Sequence, residues 1–290
     1  MGFQHSDSGI AASIFFALYT IYCAFMVYII YKKGFKTVYS FLITFPVFRF
    51  GSQLCGMVFS IVGFEHWQWL IAYLVLGAEG YFVLILSSFT FVTHAQKLEF
   101  GHSWVTDTRS HLSCLPFVKS YSSLFHFLLI PANSLVIAGG TMLTGVDDLD
   151  AEKGKVDASK AMRTTGQTIF LMMTVLVLVF ASYAYKKERV RNHFNISVLF
   201  ACPFLVVRGI FGILSIYIED MNYFQFSNYS ASGINHKLVV YEYVLSTTME
   251  FVASMFILSN FFLDKSKSKQ DVESSESCSS DQAFVDSEKH

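Results

Sequence analysis

None of the seven long apolar stretches in this sequence contains a lysine or an aspartate. The missing amine excludes a retinal Schiff base, and the missing aspartates exclude a paired-aspartate intramembrane protease. The nine histidines lie between the stretches or at their ends, with His94 and His126 at borders, which argues against a buried zinc site of three imidazoles. There is no glycine-rich phosphate-cradling loop and no Gly-x-Ser-x-Gly nucleophile motif. No metal site, no cofactor and no catalytic residue is therefore assigned. Charge is scarce throughout, at 15% of residues with a net charge of -1.

What is present is apolar: 53% hydrophobic residues, 31 Phe, 15 Tyr and a mean hydropathy of +0.45. That is too apolar for a soluble domain of 290 residues and predicts one integral membrane domain. Segments near the roughly 20 residues needed to cross hydrocarbon fall at 10–31, 38–62, 69–93, 122–145, 168–185, 195–218 and 240–262. The expected fold is all-α, a polytopic bundle of seven transmembrane helices over 10–262, after a short N-terminal segment 1–9. The first stretch is expected to stay as a helix, because no Lys or Arg precedes it and its apolar run is too long for a signal peptide. Residues 263–290, rich in Ser, Asp, Glu and Lys, cannot bury enough apolar surface to fold and are expected to be a disordered tail.

The basic residues sort by side. Lys32, Lys33, Lys36, Lys97, Arg109, Lys119, Lys186, Lys187, Arg189, Arg191 and four tail lysines make fourteen on one side. Lys153, Lys155, Lys160, Arg163 and Lys237 make five on the other. The positive-inside rule then puts the N-terminus outside or in a lumen and the tail in the cytosol. The sequon Asn228-Tyr229-Ser230 falls on the outer side, so Asn228 is the expected glycan acceptor; Asn195 lies at the cytosolic mouth of the sixth span. Cys23, Cys55 and Cys202 lie within spans and Cys114 and Cys278 on the cytosolic side, so no luminal disulfide is expected.

Spans 1–3 resemble spans 5–7 in order. Tyr31-Lys32-Lys33 and Tyr185-Lys186-Lys187 close the first and fifth; Pro46 then Arg49, and Pro203 then Arg208, mark the second and sixth. Glu79 precedes Ile85-Leu86-Ser87 in the third, as Glu250 precedes Ile257-Leu258-Ser259 in the seventh. This predicts a 3+1+3 parallel repeat with the fourth span as connector.

Arg49, Glu79, Arg208 and Glu250 are the residues most at odds with their surroundings. A charge at the bilayer centre costs roughly 2.5–3.5 kcal/mol on insertion scales, and only pairing or a polar cavity offsets it. Helical spacing adds Gln53, Gly56 and Ser60 to the face of Arg49, and Gly212, Ser215 and Glu219 to that of Arg208. It also places Thr247 and Ser254 beside Glu250, and Ser87 and Thr90 with Glu79. The four charges should point inward, either as a midplane ligand or proton site supported by Gln53, Thr247 and Ser254, or as two structural pairs, Arg49–Glu79 and Arg208–Glu250.

The run Pro203-Phe204-Leu205-Val206-Val207-Arg208, with Arg49-x-Gly51 and Met249-Glu250, resembles a family of fungal seven-pass membrane proteins catalogued as a domain of unknown function. The resemblance spans roughly 10–262 and implies a fungal origin and a seven-helix fold, with no substrate and no activity. More distantly, the layout resembles the fungal lipid-translocating exporters in pass number. It is also similar to a G-protein-coupled receptor in its outer N-terminus and Ser-rich tail, although the extracellular disulfide of many receptors cannot form here.

Three readings stay open. The repeat and midplane charges favour a carrier or exporter of a lipophilic or amphipathic small molecule. Orientation and tail favour a seven-helix receptor or sensor. An aromatic-rich interior with Glu79 or Glu250 as proton donor would suit a membrane-embedded, acid-initiated cyclase. The expected partners are the lipid bilayer and a small lipophilic ligand, with no nucleic acid and the oligomeric state left open.

Overall fold

A computed structural model describes residues 6–63, 66–107, 120–143, 152–230 and 233–263. Among them, seven helices are long and apolar enough to cross a bilayer: α1 (Ser6–Lys33), α2 (Tyr39–Val62), α3 (Gln68–Phe100), α4 (Tyr121–Thr141), α5 (Lys153–Lys186), α6 (His193–Tyr217) and α7 (His236–Leu263). The chain is a multi-pass membrane protein. Helices are what such a sequence must form, because hydrocarbon offers no partner to a backbone N–H or C=O and the segment has to satisfy its own. Residues 1–5, Cys114, Cys278 and the Ser-rich tail from 264 onward lie outside the described residues.

Helix ends follow local chemistry. Ser120 and Asn192 cap α4 and α6, their side chains accepting from the backbone N–H of Ser123 and Asn195. Gly63 and Gly101 end α2 and α3 at φ of 75° and 74°, a region closed to most side chains. The main departure from expectation is α5. It starts at Lys153 rather than 168 and, at about 1.5 Å per residue, is longer than a hydrocarbon core of about 30 Å. Apolarity marks only the part of a helix that lies in lipid, whereas the helix itself continues as long as its backbone bonds do. The extra turns carry Ser159, Arg163 and Gln167 into the interior.

Helix α3 forms the centre, with 61% of its apolar window buried inside the protein, against 22% for α1 and for α4. It packs against α2, α4, α5 and α6, while α1 leans on α2, and α6 on both α5 and α7. The end of the bundle opposite the N-terminus carries a cluster of aromatic side chains. Tyr39 meets Phe91 and Phe261 edge-on at 5.7 and 6.2 Å between centroids, and Phe91 lies 5.9 Å from Phe194.

Helix α7 is irregular where it matters. Its backbone widens into a π-turn over Tyr243–Thr248. Glu242 and Glu250 are eight residues apart, which would leave them about 80° apart around a regular helix. A π-turn absorbs one extra residue and so turns both carboxylates towards the same side of the bundle.

Candidate functional site

Three side chains from three helices meet at the centre of the bundle. Arg49 of α2 is 1% exposed and forks onto Glu250 of α7: its Nε donates to Oε2 at 2.6 Å, and its Nη2 closes on Oε1. Arg208 of α6 donates from Nε to the same Oε1 at 2.7 Å. Glu250 is wholly buried, and guanidinium N–H groups occupy both of its oxygens. It is a shared acceptor between two cations.

The neighbours make this geometry. Arg49 runs along the bare backbone of α3 at Gly77 and Gly80, where an added Cβ would stand 3.2 Å from its Nη1 and 2.9 Å from its Nε. The Arg208 guanidinium lies 5.0 Å from the centroid of the Tyr81 ring, a cation–π contact. The Tyr81 hydroxyl is tied in turn to Thr174 at 2.9 Å and donates to the Leu205 carbonyl at 3.1 Å.

A cavity of about 110 Å³ opens beside the cluster, and both arginines line it. Its walls come from the early turns of α3, α5 and α7 and the late turns of α4 and α6, which all lie at the end of the bundle that holds the N-terminus. Arg163, Gln167 and Glu242 also line it, together with Tyr223 and Phe224 of the loop between α6 and α7. Burial pushes the Tyr223 hydroxyl well above the ordinary phenol pKa, with Glu242 adding to the shift, so this group remains a neutral hydrogen-bond donor. Three arginines and Glu242 thus line one pocket inside a membrane domain, with Glu250 held behind its wall by Arg49 and Arg208.

The structure brings together Arg49, Arg208 and Glu250, including the expected Arg208–Glu250 pair, but Arg49–Glu79 does not form. Glu79 is half-buried and accepts from Asn133 Nδ2 of α4 at 2.6 Å. The reason is angular. Gly77 and Gly80 face Arg49, and a residue just before Gly80 is turned about 100° away, towards α4. Of the supporting residues, Gln53 is buried and accepts from the Tyr243 hydroxyl at 3.2 Å, next to the cluster. Thr247 is buried, and its hydroxyl has no hydrogen-bond partner among the described residues. Ser254 donates back to the Phe251 carbonyl of its own helix, and its own carbonyl accepts from the Tyr22 hydroxyl. On α6, Gly212 and Ser215 share the cavity with Arg208, but Glu219 lies past the helix end and is exposed.

Asn228, the expected glycan acceptor, is packed into the loop between α6 and α7. It is 3% exposed, and its Nδ2 donates to the carbonyls of Glu219 and Asn222 at 2.6 and 3.0 Å, pinning the loop that roofs the cavity.

Hydropathy does not mark Arg163, Gln167 or Glu242 as interior residues. The first two precede the apolar run that begins at 168, and Glu242 lies close to the start of the run at 240–262. No protein-family model, no characterised protein and no solved structure matches this chain.

Proposed function

We propose that this protein is a carrier that moves an amphipathic small molecule across the membrane, with Arg49, Glu250 and Arg208 as the midplane site and the cavity as its entrance. The observation that carries this reading is a pocket that opens at one end of the bundle and reaches Arg49 and Arg208, the two cations that hold the shared Glu250 carboxylate, with a cluster of aromatic contacts at the other end. Carriers need such one-sided access and a site near the bilayer midplane where packed helices can exchange partners. The 3+1+3 repeat would supply the two halves that rock against each other. With the basic residues gathered at the opposite end, the cavity faces outward or into a lumen. A cyclase with Glu250 as its proton donor is less well supported, since guanidinium groups take up both oxygens of that carboxylate.

The test is transport in proteoliposomes with tritiated octyl sulfate, octyl glucoside and octyltrimethylammonium. Wild-type protein is expected to speed the passage of at least one of them over protein-free vesicles. Arg208→Gln should lower that rate by about tenfold or more, the loss expected for one charge-assisted hydrogen bond. Glu79→Gln, whose partner is Asn133, should retain most of it. Passage equal to protein-free vesicles for all three solutes would count against a carrier.

A further inference from the structure

We propose that the cavity takes the monoanionic oxyacid head of an amphiphile, a carboxylate or a phosphodiester, on Arg163 and Arg208. The proposal rests on the carrier reading for its use, and not for the binding itself.

Arg163 carries most of the argument. It is 8% exposed, its guanidinium lies 4.4 Å from the centroid of the Phe224 ring, and its Nε has no acceptor. Among the described residues, no carboxylate makes an ion pair with it, whereas Arg49 and Arg208 share Glu250. A buried guanidinium is retained at high cost unless something accepts from it. One turn along α5, Gln167 is 7% exposed with an unpartnered Oε1, and a rotation of its amide would offer N–H groups instead. Gly212 keeps this corner open, because a Cβ there would stand 2.4 Å from Gln167 Oε1 and 3.2 Å from Arg208 Nη1.

Charge sets the class. Even with Glu242 of the lining and Glu250 behind it both ionised, the three arginines leave one positive charge unbalanced. A monoanion neutralises it, a cation is repelled, and a neutral head leaves the excess in place. Arg favours oxyacids because its planar fork matches two oxygens at once. Size sets the rest. About 110 Å³ holds a head group and little more, so the chain must leave the cavity. The wall formed by Leu74 and Val75 of α3 and Ile137 of α4 is apolar and half-exposed, and it leads the chain towards lipid.

The experiment is equilibrium binding to purified full-length protein in nanodiscs of phosphatidylcholine. The probes are dodecanoate, dodecanol and dodecyltrimethylammonium, which share a chain and differ in head charge. Dodecanoate should bind about tenfold to a hundredfold more tightly than dodecanol, and the cation should not compete with it. Arg163→Gln should remove that preference and leave dodecanol binding as it was. If this variant fails to fold, Arg163→Lys keeps the charge, and Gly212→Ala, which pushes Gln167 into the space, should weaken dodecanoate selectively. Replacing part of the phosphatidylcholine with phosphatidylglycerol separates the two sources: competition identifies a lipid head as the occupant, and no competition identifies a free carboxylate. Equal affinity for dodecanoate and dodecanol, or an unaltered dodecanoate affinity in Arg163→Gln, would overturn the proposal. An anion bound tightly but never moved across vesicles would leave the site standing and remove the carrier. Transport without preference for anions would do the reverse.

Discussion

Glu250→Gln should destabilise the bundle in detergent by about 3–5 kcal/mol, more than the loss of either arginine, because it strands two buried guanidiniums that face each other. The other members of the cluster rank by geometry. Arg49→Gln removes the forked partner, which is 1% exposed, and leaves Glu250 with Arg208 alone. Arg208→Gln should be milder, since Arg49 still holds both oxygens of the carboxylate. The changes must be strongly non-additive. Once Glu250 is neutral, replacing Arg49 and Arg208 removes uncompensated charge instead of breaking a pair, and the triple variant should recover much of the loss. Unfolding midpoints of the single, double and triple variants provide the check, and additive losses would mean that the three groups do not act as one unit.

Gly166→Ala should also be destabilising, by about 1–3 kcal/mol, the usual effect of overpacking. A Cβ at Gly166 of α5 would stand 2.5 Å from Val136 Cγ2 and 2.6 Å from the Ala132 carbonyl oxygen of α4. A side chain can rotate aside, but a carbonyl in a helix cannot, so α4 itself must move away from α5. Membrane helices approach this closely only at small residues. Gly139 serves the same contact from the other side, with Ser159 O at 3.0 Å and Arg163 Cγ at 2.8 Å from an added Cβ. Gly212→Ala makes the useful contrast. Its nearest obstacle is the flexible end of Gln167, so its melting temperature should change less than that of Gly166→Ala.

Much of this arrangement is legible in the sequence because the bilayer leaves few choices. Seven apolar runs give seven helices, and the midspan positions of Arg49, Arg208 and Glu250 point to a shared interior. Three features escape for separate physical reasons. Glu79 looks equivalent to Glu250 by repeat position, yet the glycines beside it serve the passage of Arg49, and one residue of helix turns Glu79 towards Asn133. Arg163 and Gln167 stand on a polar extension that hydropathy assigns to a loop. The helical spacing of Ser159, Arg163, Gly166, Phe170, Thr174 and Val177, all buried, runs unbroken through that border and is the signal that could have found them. Glu242 is hidden by the π-turn, since a regular helix would aim it away from Glu250 and nothing in the composition marks the wider turn.

The most direct test of alternating access to the central cluster is cysteine labelling in sealed vesicles of known orientation, using a membrane-impermeant thiol reagent on cysteine-free protein. Ser215→Cys reports from the cavity wall, and Ser87→Cys from the wholly buried stretch of α3 towards the aromatic end. A carrier predicts that a transported amphiphile slows labelling of Ser215→Cys from the cavity side and makes Ser87→Cys reactive from the opposite side. Labelling of Ser215→Cys that ignores every amphiphile, with Ser87→Cys unreactive from both sides throughout, would contradict it.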